Sequence, residues 1–155
     1  MNIDINFEKY HFKHLSYNDL KWLNVLFADK ETQKRMGGML PLDVFYSSTK
    51  ELPNYYNIVA WEDDKPTAFL TVEINNNDVA SIAIVVNPTR RRQGVGHTIL
   101  TNICNLLEDK QAYAEIEADN IASIALFESC GFINDGITEE GFLRYFRPRR
   151  TNTVN

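Results

Sequence analysis

Cysteine is scarce in this sequence: Cys104 and Cys130 are the only two in 155 residues. Two cysteines cannot build the disulfide framework of a small secreted domain, so a reducing, cytoplasmic setting is expected. No apolar run approaches the roughly 20 residues that a membrane helix needs. The polar, mixed residues 1–8 lack the pattern of a signal peptide, so no membrane partner is expected. Histidine is almost as rare. His11 and His14 would face opposite sides of a strand and His97 lies in a turn, which argues against a metal site. An excess of positive charge is also missing. The net charge is −5, which argues against a general nucleic-acid binder.

What is present suffices for a core, with 44% hydrophobic and 12% aromatic residues. The length fits one domain over residues 1–150, followed by a frayed tail at 151–155. One stretch organises the chain: Ile84-Val85-Val86-Asn87-Pro88-Thr89-Arg90-Arg91-Arg92-Gln93-Gly94-Val95-Gly96. It reads as an apolar strand, a basic turn with two close glycines and the start of a helix. Val95, Ile99, Leu100, Ile103, Leu106 and Leu107 recur at three- and four-residue spacing, which predicts a helix over 95–109. The first N–H groups of a helix have no internal partner, and its dipole favours negative charge there. Gly94 and Gly96 let the backbone approach a ligand, and Arg90 to Arg92 add positive charge. A pyrophosphate-sized anion on residues 91–97 is the expected ligand. Two further absences narrow it. No Lys-Ser/Thr pair follows Gly96, as a P-loop requires, and Ile99 stands where a dinucleotide-binding turn needs its third glycine.

Along the chain, residues 7–15 read as a first strand, and Ser16-Tyr17-Asn18-Asp19 as a capping box before a helix. A charged segment over 29–35 reads as a continued or second short helix. Met36-Gly37-Gly38-Met39-Leu40-Pro41 breaks it, and a short helix over 42–50 follows. Residues 55–61, 67–74 and 79–86 form an antiparallel meander. The last of these has only small and apolar side chains, as in a strand covered on both faces. In residues 111–119, Ala112, Ala114, Ile116 and Ala118 lie on one face, and Tyr113, Glu115, Glu117 and Asp119 on the other. A helix connects this strand to the one before it, so the two can lie parallel, with a right-handed crossover. A helix over 120–129 ends at Gly131, and residues 132–137 and 141–146 close the fold.

The order strand, Arg91-x-x-Gly94-x-Gly96, helix, strand, then Asn120-x-x-Ser123-x-x-Leu126-Phe127-x-x-x-Gly131-Phe132 resembles the GNAT superfamily of acyl-CoA N-acyltransferases. The resemblance covers about residues 79–132. It implies an α/β (α+β) domain: a mixed, twisted, mostly antiparallel sheet of six to seven strands with helices on both faces. It implies acetyl-CoA as cosubstrate, with its pyrophosphate on the amides of Arg91, Arg92, Gln93, Gly94, Val95, Gly96 and His97. The pantetheine arm would pair with the edge of Ile84, Val85 and Val86, where the strand splays from the next around a bulge. A backbone N–H near Val86 would stabilise the oxyanion. Asn120 would reach the arm, and Phe127 would pack beside the thiol.

The implied reaction is direct attack of a neutral amine on the thioester, which needs a base, an oxyanion stabiliser and a route for the leaving thiolate. Glu115 lies five positions before Asn120, similar to the base of ribosomal-protein N-terminal acetyltransferases; Glu73 is the reserve. The bland reading of Glu115, Glu117 and Asp119 is a solvated strand face. Many family members carry tyrosine where this chain has Phe127, and its phenol protonates the thiolate. Phenylalanine cannot, which leaves departure as thiolate or a donor such as Cys130, Tyr145 or Ser123. The expected acceptor is a small cationic molecule or a peptide amine. The alternative is a non-catalytic acyl-CoA-binding or sensor module of the same fold. A homodimer is left open.

Overall fold

The computed structural model describes residues 1–150; the tail at 151–155 lies outside the described residues. An eight-stranded sheet runs through the fold in the order β1-β2-β3-β4-β5-β6-β8-β7. The strands are β1 (Ile5–Asn6), β2 (His11–His14), β3 (Tyr55–Glu62), β4 (Lys65–Ile74), β5 (Val79–Val86), β6 (Gln111–Glu117), β7 (Ile133–Ile137) and β8 (Phe142–Arg147). Every neighbouring pair is antiparallel except β5 and β6. The strand count exceeds expectation because Ile5–Asn6, ahead of the strand expected over 7–15, form β1, and that expected strand is shortened to His11–His14. Phe7 N–H donates to the Tyr10 carbonyl at 2.8 Å, and this turn makes β1 and β2 a hairpin. Among the described residues no helix is long and apolar enough to cross a membrane.

Five α-helices flank the sheet: α1 (Leu20–Leu26), α2 (Lys30–Met36), α3 (Leu42–Thr49), α4 (Val95–Leu106) and α5 (Ile121–Ser129). Their apolar positions divide the core in two. On one face, Val95, Ile99, Leu100, Ile103 and Cys104 of α4, with Phe127 of α5, pack on Ile58, Leu70, Ile82, Ala112, Ala114 and Ile116. Burial pushes the Cys104 thiol up to about 12, so it behaves as a packed apolar group. On the other face, Leu20, Leu23, Leu26 and Leu42 pack on Val59, Phe69 and Val85.

The ends of these helices follow from local chemistry. Before α1, the Ser16 N–H and hydroxyl both donate to the Asp19 carboxylate, at 2.9 and 3.0 Å. Asn120 caps α5, its Oδ1 accepting from the Ser123 N–H at 3.3 Å. Gly131, at φ +88°, ends the same helix in the left-handed conformation. There the Phe132 N–H donates to the Phe127 carbonyl and the Gly131 N–H to that of Glu128, both at 3.1 Å. That is a Schellman stop, and the edge-on Phe127–Phe132 contact at 4.9 Å is its apolar clasp.

The feature that makes room for a site is the seam between β5 and β6. They pair only at Val79–Gln111, Ala80–Ala112 and Ser81–Tyr113, and then separate. Residues 82–86 keep their partners on β4 and, among the described residues, have no strand partner on the other side. The expected bulge is not at this place. The β4–β5 register is uniform, and the register shift in the β3–β4 pair, between Ala60 and Trp61, skips Thr67 of β4. The expectation that β5 is covered on both faces is also corrected: Ile84 and Val86 are half-buried, because the opening leaves them facing a cleft.

Candidate active site

The cleft between the β5 and β6 arms has a volume of about 660 Å³. Its floor is β5. The turn before α4 forms one wall, β6 and the start of α5 form the other, and α2 lies at its mouth. Of the residues singled out from sequence, Ile84, Val85, Val86, Arg91, Arg92, Gly94, Val95, Gly96, His97, Glu115, Asn120 and Phe127 all line it. Gln93 does not. Its side chain turns back onto Arg90 and the Thr89 carbonyl, at 3.2 and 3.4 Å.

The turn wall is built from backbone. Arg92 and Gly94 both take left-handed conformations, at φ +63° and +75°. Such alternation turns successive N–H groups toward one side and forms a concave anion nest. Among the described residues, no backbone acceptor faces the N–H groups of residues 92–97. Gly96 is small for a different reason. A Cβ there would lie 3.3 Å from both the Leu126 and Val86 side chains, so it sets how closely α4 approaches β5 and α5.

The arginine run does less for an anion than its sequence suggests. Arg90 pairs with Glu62 at 2.7 Å, and Arg91 with Asp29 at 3.0 Å. Among the described residues only Arg92 of the three has no ion pair. The Arg91–Asp29 pair links the turn to α2, because Asp29 is the α2 cap and also accepts from the Thr32 N–H at 3.0 Å. That backbone hydrogen bond, with help from Arg91, holds the Asp29 carboxyl below the usual carboxylate range. Since the folded value is depressed, this contribution is present above the ordinary aspartate pKa and is lost as pH falls through the folded value. The melting temperature should stay level from pH 8 to about 5 and fall below pH 4. Asp29→Ala should lower it by about 2–4 °C at pH 7, the effect of a cap worth ~1 kcal/mol in a domain of this size. At pH 3 the gap between the two proteins should narrow; an equal gap at both pH values would contradict this account.

On the opposite wall, β6 presents Glu115 and Glu117. The Tyr113 hydroxyl donates to Glu115 Oε1 at 3.0 Å. Burial pushes the Tyr113 phenol upward, and the Glu115 carboxylate beside it adds to the rise. Among the described residues Glu115 has no cation within 4.0 Å, whereas Glu117 and Asp119 meet Arg35 of α2 at 3.3 and 2.7 Å. The acidic face read as solvated is therefore partly neutralised. Glu73 sits on β4 opposite Tyr55 and Ser81 and does not line the cleft.

The three candidate donors to a leaving thiolate separate cleanly. Tyr145 is 3% exposed, and its hydroxyl donates to Glu128 at 3.2 Å. Cys130 lies 3.6–3.8 Å from Thr101, Ser129 and His97 and does not line the cleft. Ser123 does line it. Phe127, 3% exposed, reaches the cleft with part of a ring already committed to the helix stop. The sequence reading missed Glu31, Thr32, Arg35 and Met36 of α2. The Glu31–Arg35 spacing signals a helical ion pair, but nothing local shows that Arg35 reaches a carboxylate 84 positions away.

A splayed parallel pair beside the amide-lined entrance of α4 defines the fold's central cleft. Residues 21–132 match the Acetyltransferase (GNAT) family, and the chain belongs to that family. It is 30% identical over 137 residues to the uncharacterized N-acetyltransferase YfmK of Bacillus subtilis, covering 85% of this chain and 92% of that protein. It is 32% identical over 81 residues to the ribosomal protein bS18-alanine N-acetyltransferase of Salmonella typhimurium, covering 50% of this chain and 55% of that protein. Its fold matches a spermidine N-acetyltransferase from Vibrio cholerae, solved in complex with CoA and spermine, with a TM-score of 0.80. That match is 16% identical and covers 92% of this chain and 97% of the other.

Proposed function

We propose that this chain transfers an acetyl group from acetyl-CoA to a primary amine of a small cationic molecule or peptide by direct attack. One observation carries the reading: two arrays of unpaired backbone groups share a single cleft. The N–H groups of residues 92–97 suit a pyrophosphate, and the free edge of residues 82–86 suits the amides of an extended arm. From Val86 to Ile82 is four strand steps, roughly 13 Å at about 3.3 Å each. An arm running from the turn toward the seam therefore carries its thioester away from Val86, toward the level of Ala83. Continuing the Ser81–Tyr113 pairing by two residues sets Glu115 level with Ala83. The oxyanion donor is then a free β5 N–H nearer the seam than Val86. Glu115, held by Tyr113 and among the described residues with no cation within 4.0 Å, takes the ammonium proton directly or through water. The thiolate, with an ordinary thiol pKa of about 8.5, leaves with the Ser123 hydroxyl as the lining group able to donate to it.

Acetyl-CoA at about 100 times its Kd should raise the melting temperature by roughly 5–10 °C, as a stabilisation near 2.7 kcal/mol does in a domain of this size. ATP should not. An amine panel spanning polyamines, aminoglycosides and alanine-initiated peptides should then release free thiol with at least one member. No shift with millimolar acetyl-CoA would overturn the reading. A shift without thiol release from any amine would select the binding-module alternative, which Phe127 favours because it offers no phenol at the thiol.

A further inference from the structure

Helix α2 is strapped across the cleft from one arm to the other. Its cap, Asp29, is held by Arg91 of the turn, and its last turn is held to the β6 arm by Arg35. Arg35 is 13% exposed although it lies at the mouth of the cleft. Its Nε donates to Glu31 at 3.0 Å and its Nη1 to Asp119 at 2.7 Å, and Glu117 lies 3.3 Å from Nη1. Lys34 adds a second, looser contact to Asp119 at 3.6 Å. The hydrogen bond from Arg35 holds the Asp119 carboxyl below the usual range.

Three carboxylates around one planar cation form a cation site with its occupant already in place. Glu31, Glu117 and Asp119 bring three negative charges, and Lys34 and Arg35 return two positive ones. Glu115, at the level of the reacting carbon, accepts from the Tyr113 hydroxyl and stands across from Arg144 of β8, and among the described residues it is the lining carboxylate with no cation within 4.0 Å. A singly charged amine needs only that group. A second ammonium on the same molecule would have to evict a guanidinium held by charge-assisted hydrogen bonds, or sit beside it against like-charge repulsion.

We propose that Arg35 is a specificity-determining residue: its guanidinium fills the cation position of the acidic wall, so the acceptor is a singly charged amine and polyamines are excluded. This rests on the amine-transfer reading of the cleft. It narrows the acceptor from cationic molecules in general to those whose one charge is the reacting amine.

The test uses the full chain saturated with CoA. Calorimetry measures the binding of spermidine and of an alanine-initiated peptide with no other charge; thiol release from acetyl-CoA is followed in parallel. The wild type should bind the peptide at least tenfold more tightly than spermidine. Arg35→Gln should tighten spermidine at least tenfold while changing the peptide less than threefold, and Arg35→Lys should keep the wild-type order. Glu117→Gln combined with Asp119→Asn, which leaves Arg35 in place, should weaken spermidine further; this variant serves if Arg35→Gln does not fold. Equal or tighter spermidine binding by the wild type overturns the proposal, as does an unchanged or weaker affinity for it in Arg35→Gln. A peptide that fails to bind overturns it too. If acetyl-CoA stabilises the protein but no amine of the wider panel releases thiol, the transfer reading fails while the binding ratio still decides the role of Arg35.

Discussion

Glu115→Gln should slow acetyl transfer about 100-fold at neutral pH, within the range for loss of a positioned general base. The deficit should shrink to a few-fold at high pH. An N-terminal amine has a pKa near 8 and a lysine-like amine near 10.4, and above those values the nucleophile arrives already neutral and needs no base. The substitution keeps the shape of the side chain and an oxygen able to accept from the Tyr113 hydroxyl, so the 3.0 Å contact gives no reason for the strand to move. Acetyl-CoA affinity should therefore hold within about threefold, since Glu115 lies on β6 and the expected cofactor contacts lie on β5, the turn and α5 with its cap. A kcat/KM profile from pH 6 to 10 separates the outcomes: a constant ratio between wild type and variant would remove Glu115 from the role of base.

The second large effect should come from Gly96→Val. Even a bare Cβ at position 96 meets the Leu126 and Val86 side chains at 3.3 Å, tighter than ordinary van der Waals contact. Two added methyls must push the first turn of α4 away from β5. Overpacking of this kind costs typically 1–3 kcal/mol, or a melting point lower by about 5 °C in a domain of this size. The same displacement moves the N–H groups of residues 92–97 relative to the free β5 edge, so acetyl-CoA affinity should fall at least tenfold. Gly94→Ala should behave differently. Nothing lies within 4 Å of its Cβ, and the penalty comes only from φ +75°, roughly 1 kcal/mol. If both variants lost affinity equally, close packing at Gly96 would not be what positions the turn.

Much of the fold was readable because it is periodic. The α4 spacing, the two faces of β6 and the hairpin run from β3 to β5 are local patterns, and each stands in the structure within a few residues of its expected place. Gly131 was readable as a helix stop because only a left-handed position calls for glycine there. Other features lie in relations between distant residues. Nothing in Ile84-Val85-Val86 says that the strand keeps one partner and loses the other. The separation is set by three pairs at its far end. Arg90 and Arg91 read as charge available to an anion because Glu62 and Asp29, 28 and 62 positions away, are invisible to local pattern. The α2 segment read as a charged helix, correctly, but its place at the mouth of the cleft follows from tertiary contacts alone. Gln93 sat inside the motif and was read as part of the site with it; a side chain that folds back on its own turn leaves no trace in spacing.

The three-pair seam also bears on where this molecule is soft. A sheet normally exposes its bare edges at its outermost strands, where charges, bulges or short length guard against pairing with other chains. Here two bare edges lie in the middle, recessed between the arms, where another protein's strand cannot easily reach but a slender ligand can. A strand at the middle of the sheet, β5, is thus, in energetic terms, half an outer one. Its cleft-side backbone groups rely on water or ligand, so the geometric centre of the sheet is also the place where filling the cleft adds most to its cohesion.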